Sequence, residues 1–238
     1  MKLNPQIKAF TLVELLVVIT IIATLAGIAF PVYNQVQEKG KQTKALAAAK
    51  QIGLACKIYA SDYDGAFPKY KDTATPSTGD PDDNPSTANQ VYQSLIAGGY
   101  VPDESIFFTQ GSGYSTKTPN NNKTIDNGEN NYGYVWGLSD TDTPAFPLVA
   151  DGWVAGKPGE YTADSTAPGG VWKGKKAIVI RVDMSGKVEN LNAAKVVFGP
   201  TINNNKGNIF TKVSGADGEA GWLTNAKFLE PVAVAATP

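Results

Sequence analysis

The sequence contains no histidine and one cysteine among 238 residues. Without histidine the chain lacks the commonest general base and the commonest transition-metal ligand, so no Ser/His/Asp or Cys/His arrangement can be built from it. A single cysteine, Cys56, rules out an intramolecular disulfide and reads as a small apolar residue on a helix face. Charge is sparse too: Asp, Glu, Lys and Arg make up 18% of the chain, with a net charge of −1. Its distribution is uneven. Lys2 and Lys8 lie in the first nine residues, and five lysines from Lys39 to Lys57 face only Glu38 and Asp62. Beyond Asp62 there remain 14 basic and 19 acidic residues. A mildly acidic body lacks the clustered cations that nucleic acid requires, so no nucleic-acid partner is expected.

One long run lacks charge almost entirely. From Phe10 to Val32 the sequence "FTLVELLVVITIIATLAGIAFPV" has one ionisable group, Glu14. As a helix it would span about 34 Å, enough for a hydrocarbon core of ~30 Å. The run is rich in Leu, Ile, Val and Ala and is not amphipathic, which predicts a segment that crosses a membrane rather than lying on it. The basic leader favours an N-terminus in the cytoplasm and a body outside the cytoplasmic membrane. A competing reading is a secretory signal peptide cut near "AGIA", Ala26 to Ala29. Glu14 argues for something more specific. A carboxylate among lipid tails is expensive unless neutralised or paired, and no cation lies in the segment. Cutting the chain before Phe10 would create one, an α-amino group four residues from Glu14. Within one helix, or between two staggered helices, that amine could meet the carboxylate.

"KAFTLVELLVVITIIATLAGIAFPVYNQVQ" resembles the N-terminal region of the type IV pilin and type II secretion pseudopilin superfamily. The resemblance implies a leader, residues 1–9, removed by a prepilin peptidase at Ala9–Phe10. It further implies N-methylation of Phe10 and an assembly role for Glu14 with its neighbour Thr11. Pro31 falls where many members carry a helix-kinking proline. Ala9 departs from the usual Gly before the cut. The implied partners are a homo- or hetero-polymer of pilin-like subunits, the prepilin peptidase, an inner-membrane assembly platform and the membrane itself. The implied location is the bacterial cytoplasmic (inner) membrane, single-pass with the head periplasmic, and then a filament.

Beyond the membrane segment (10–32), residues 33–65 are expected to continue the helix as an amphipathic outer half. Val32, Val36, Leu46, Ala49, Ile52, Cys56, Tyr59 and Tyr63 recur at spacings that suit one helical face over most of the stretch. Pro31 should kink or locally melt the helix, whereas Gly40 need not end it. "SDYDGAFP" is the expected stop, with Gly65 as cap and Pro68 blocking continuation. Residues 66–238 read as a globular head. Polar loops are expected over 69–90 and 109–131, with a short helix from about Ala88 to Ala97 ended by Gly98-Gly99 and a turn at "PDES". Strand candidates are "NYGYVWGL", "AFPLVADGWV" with its Asp-Gly turn signal, and a hairpin from Ile178 to Leu191 turning at Met184-Ser185-Gly186. "YGYVWGLSD", "PLVADG" and the Asp-x-x-Gly hairpin also resemble the C-terminal region of large pilin-like proteins. The tail beyond Val197 is expected to add an edge strand and to end in a disordered "AVAATP". The fold class is therefore α+β: a long bent N-terminal helix packed on a C-terminal antiparallel β-sheet domain.

Nothing in the sequence selects an active site, and the chain reads as no enzyme. "GSGYST", Gly111 to Thr116, lacks the following helix that a nucleotide loop needs. Asp62, Asp64 and Gly65 mimic the start of a calcium loop but are better explained by helix termination. Asp140 and Asp142, or Asp80, Asp82 and Asp83, are candidate oxygen donors for Ca²⁺; solvated loop acids are the plainer reading, and no cofactor is expected. Two functions fit. One is a filament subunit, either a surface pilus or a secretion pseudopilus. The other is a membrane-anchored periplasmic binding or enzymatic domain that never polymerises.

Overall fold

The computed structural model of the chain describes residues 11–69, 84–201, 206–214 and 221–234. It divides into two compact units, Met1–Thr43 and Lys44–Pro238. Helix α1, Leu12–Asp62, runs through both. In the first unit every residue from Thr11 to Gln37 is exposed. The helix continues on both sides of Pro31, so no melted turn occurs there. Thr20 and Thr24 donate their hydroxyls to the carbonyls of Leu16 and Thr20 at 2.7 and 2.8 Å, hiding polar groups against the helix backbone.

In the second unit the helix changes character. Ala45, Ala49, Ile52, Cys56, Tyr59 and Ala60 are buried, on the face that the sequence periodicity marks. Val32, Val36 and Tyr63, which share that pattern, are exposed, and Leu46 is half-buried against the core. The helix stops where the local signals place it. Gly65 takes a left-handed φ of 82°, open to glycine at little cost, and its amide returns to the Ala60 carbonyl at 2.8 Å.

Helix α2, Ala88–Ala97, begins at a reciprocal capping box. Thr87 Oγ1 accepts from the Gln90 amide, and Gln90 Oε1 accepts from the Thr87 amide. A 3₁₀ turn over Glu104–Phe107 occupies the expected turn region. The main sheet has the order β4-β3-β2-β1-β7, all neighbours antiparallel. Its strands are β1 (Tyr132–Trp136), β2 (Pro147–Asp151), β3 (Lys176–Arg181), β4 (Gly186–Asn190) and β7 (Lys227–Leu229). A second, two-stranded sheet pairs β5 (Phe198–Pro200) with β6 (Lys206–Asn208). The β3–β4 hairpin is the one expected, its turn closed by Met184 N donating to Arg181 O at 2.9 Å. The tail supplies β7 as an edge strand, also as expected.

The core lies between α1, α2 and the sheet. Tyr132 of β1 donates its hydroxyl to the Ala45 carbonyl at 2.9 Å, tying the sheet to the start of the packed part of α1. Tyr92 of α2 stacks on Phe107 and donates to the Gly133 carbonyl at 2.9 Å. Each buried phenol thus satisfies its polar end while adding apolar area. β2 is buried along its whole length, as a central strand covered on both faces must be.

Candidate functional site

The first site lies at the start of α1. Thr11 has the hydroxyl typical of a helix N-cap, and Glu14 stands three residues later. Thr11 donates both its amide (2.9 Å) and its hydroxyl (2.7 Å) to Glu14 Oε2. In return Thr11 Oγ1 accepts from the Glu14 amide at 3.2 Å. This is a capping box: two amides that the helix cannot satisfy internally are satisfied by side chains. The acidic group also sits at the positive end of the helix dipole. The Thr-x-x-Glu spacing of this box is visible in the sequence. The carboxylate therefore has a partner within its own chain. Oε1 makes no hydrogen bond among the described residues. Ala9 and Phe10, the expected processing residues, lie outside the described residues.

The calcium candidates in the head have other employment. Asp140 Oδ2 meets Lys57 Nζ at 3.0 Å, and its amide donates to the Gly65 carbonyl at 2.8 Å. Asp142 Oδ2 accepts from the amide and hydroxyl of Ser139 at 2.6 and 3.1 Å. Together they clamp the 138–142 loop onto the end of α1, where Ala66 bridges Ser139. Asp80, Asp82 and Asp83 lie outside the described residues. Among the described residues no cluster of three or more Asp, Glu, Cys or His is placed to hold a metal ion. Cys56 is buried, and burial pushes its thiol well above the usual range, so it packs rather than reacts.

A third polar site had no signal in the sequence. "AFPLVADGWV" suggests a turn at Asp151-Gly152. Instead Asp151 is the last residue of β2 and is fully buried. Gly152 N donates to the Asn131 carbonyl at 2.6 Å, so the chain stays beside the lead into β1 rather than turning. Asp151 Oδ1 accepts from Asn131 Nδ2 at 2.8 Å. Oδ2 accepts from Trp172 Nε1 and the Ile178 amide, each at 2.7 Å. Burial pushes the Asp151 carboxyl up to about 6, against the three donors, which pull it down.

An exposed apolar helix, capped by a carboxylate at its first turn and leading into an α+β head, defines a class of protein rather than an active site. Among the described residues this is the one helix long and apolar enough to cross a membrane. Comparison with known proteins gives the class a name. Residues 5–30 match the model of the prokaryotic N-terminal methylation motif. The chain is 37% identical over 73 residues to the type IV major pilin protein PilA of Myxococcus xanthus strain DK1622. That stretch covers 31% of this chain and 31% of the relative. No solved structure matches. The chain thus carries a prokaryotic N-terminal methylation motif ahead of an α+β head of the expected kind.

Proposed function

We propose that this chain is a structural subunit of a type IV pilus-like filament or of a type II secretion pseudopilus. In this reading a prepilin peptidase cuts at Ala9–Phe10 and methylates the new N-terminus. The subunit waits in the cytoplasmic membrane, N-terminus inside and head outside. An assembly platform then draws it into a polymer through α1. The observation that carries the reading is the exposed apolar helix beginning with a single carboxylate inside the methylation motif. An ion pair in low dielectric seldom returns more than its desolvation costs, so a neighbour's Phe10 amine on Glu14 sets register more than strength. Head-to-tail contacts of this type that do not close give a helical filament. Pro31 supplies a place for the helix to bend.

The test is Glu14→Leu expressed with the peptidase and the assembly machinery. The variant should insert and be cut, with mass spectrometry showing a chain starting at N-methyl-Phe10, yet be missing from sheared filaments. Normal incorporation would remove the assembly role of Glu14, whereas absence of the unmodified chain itself from the filaments would favour the second reading, a tethered head that never polymerises. A cut after Ala29, or an intact Met1, would remove the processing step.

A further inference from the structure

The polar cluster around Asp151 plays no part in the filament reading and stands independently of it. Three segments converge on this one carboxylate: the lead into β1 through Asn131, the irregular 152–175 stretch through Trp172, and β3 through Ile178. All three donors are neutral. Buried carboxylates are normally paired with a cation or coordinated to metal. Asp151 makes no ion pair among the described residues, whose salt bridges use Lys57, Lys117, Lys157, Arg181 and Lys187. Beside it, Asn131 Oδ1 is buried without a hydrogen-bond partner. With neutral donors alone around it, the charge of the buried carboxylate is uncompensated.

We propose that Asp151 is a proton-binding site inside the head, taking up a proton in mildly acidic surroundings and making the head more stable there than at neutral pH. The proton comes from solvent and adds to Oδ1. The Asn131 amide turns over, so that its Oδ1 accepts from the new carboxyl O–H. Trp172 Nε1 and the Ile178 amide continue to donate to Oδ2, now a neutral carbonyl oxygen. No bond other than the O–H forms or breaks.

The groups facing Asp151 do not compete for that proton. From β1 comes Tyr132, whose hydroxyl donates to Ala45 O and is within 3.2 Å of Thr109 Oγ1. From the 152–175 stretch comes Tyr161, whose hydroxyl donates to the Asp151 carbonyl, with Tyr114 behind it donating to Trp153 O. Burial pushes all three phenols above their ordinary range, so they stay neutral throughout. On β3 the charged neighbours are engaged elsewhere, Lys176 with Asn190 and Arg181 with Glu189. The sign follows from linkage. The folded carboxyl titrates at about 6 and an ordinary aspartate at 3.8. Below the lower value both states are protonated and the site costs nothing. Between the two values the unfolded chain releases its proton first, so stability falls as pH rises. Above the upper value the cost is complete, roughly a hundredfold in the folding constant.

The test compares the full chain with Asp151→Asn in detergent micelles, measuring urea unfolding from pH 4 to 7.5. Asparagine keeps an acceptor for Trp172 and Ile178 and presents an N–H₂ group to a turned-over Asn131. It cannot titrate. Carboxylates remote from the site, such as Asp103 and Asp164, held low by hydrogen bonds from Ser105 and Thr166, titrate alike in both proteins and cancel. The unmodified chain should lose about a hundredfold in folding constant relative to the variant as pH rises through this window. Parallel profiles would overturn the proposal. Carbon-13 titration of the Asp151 carboxyl in the unmodified chain decides independently of whether the variant folds. A midpoint near 6 supports the site, and one near 4 overturns it.

Discussion

Gly133 is the second residue of β1, and its burial makes it a sharp test of how tightly the sheet is packed. A Cβ there would lie 2.6 and 2.7 Å from Cζ3 and Cη2 of Trp153, and 3.2 Å from the Leu229 carbonyl oxygen. Carbon atoms prefer about 3.5–4.0 Å, so the overlap with the indole is close to 1 Å. The indole has nowhere to go. Trp153 is fully buried, donates Nε1 to Glu230 Oε1 at 3.1 Å, and packs against Phe210 and Phe228. Overpacking of this kind costs about 1–3 kcal/mol. Alanine in an ordinary strand conformation would recover roughly 0.5–1 kcal/mol of backbone entropy. With the indole fixed the cost falls at the upper end, about 3 kcal/mol, so after that recovery Gly133→Ala should destabilise the head by about 2 kcal/mol, lowering Tm by roughly 4–8 °C for a domain of this size. The assay is urea unfolding followed by tryptophan fluorescence. The atoms at fault belong to the six-membered ring of the indole. In a Trp153→Phe background the same glycine substitution should cost under about 0.5 kcal/mol, a coupling of more than about 1 kcal/mol. A neutral or stabilising Gly133→Ala, or an equal cost in both backgrounds, would refute the packing.

Two further outcomes are expected in the head. Thr87→Ala removes the α2 cap, whose amide-to-hydroxyl bond is 3.4 Å long, and should cost about 0.5–1 kcal/mol, read as a lower urea midpoint. Cys56, buried and with its thiol pushed up, should resist Ellman's reagent in the folded protein and react only after denaturation; rapid labelling under native conditions would contradict its place in the core.

What the sequence made legible rested on short-range signals. The apolar run needs no partner to be recognised, and Gly65 with Pro68 ends α1 by local backbone chemistry alone. The same holds for α2, bounded by Thr87 and Gly98, and for the β3–β4 hairpin. The illegible parts depend on residues far apart in the chain. Asp140 reads as a loop acid until Lys57, 83 positions away, is placed beside it. Asp151 before Gly152 reads as a turn because nothing local announces Asn131, Trp172 and Ile178. Thr11 and Glu14 are a different case. Their spacing alone contains the capping box, but a carboxylate in an apolar run invites an explanation from outside the chain before one from within it.

The two Thr11 donors fall on a single oxygen of Glu14. One side of the carboxylate is thereby committed to finishing its own helix, and the other has no partner among the described residues. A visiting N–H from a neighbouring subunit could occupy Oε1 without unfastening the cap. In the filament proposed above, docking and undocking would then leave the helix end intact. The same residue would serve as an internal fastening and an external latch, each on its own oxygen, and growth or shrinkage of the polymer would not refold the segment that carries it.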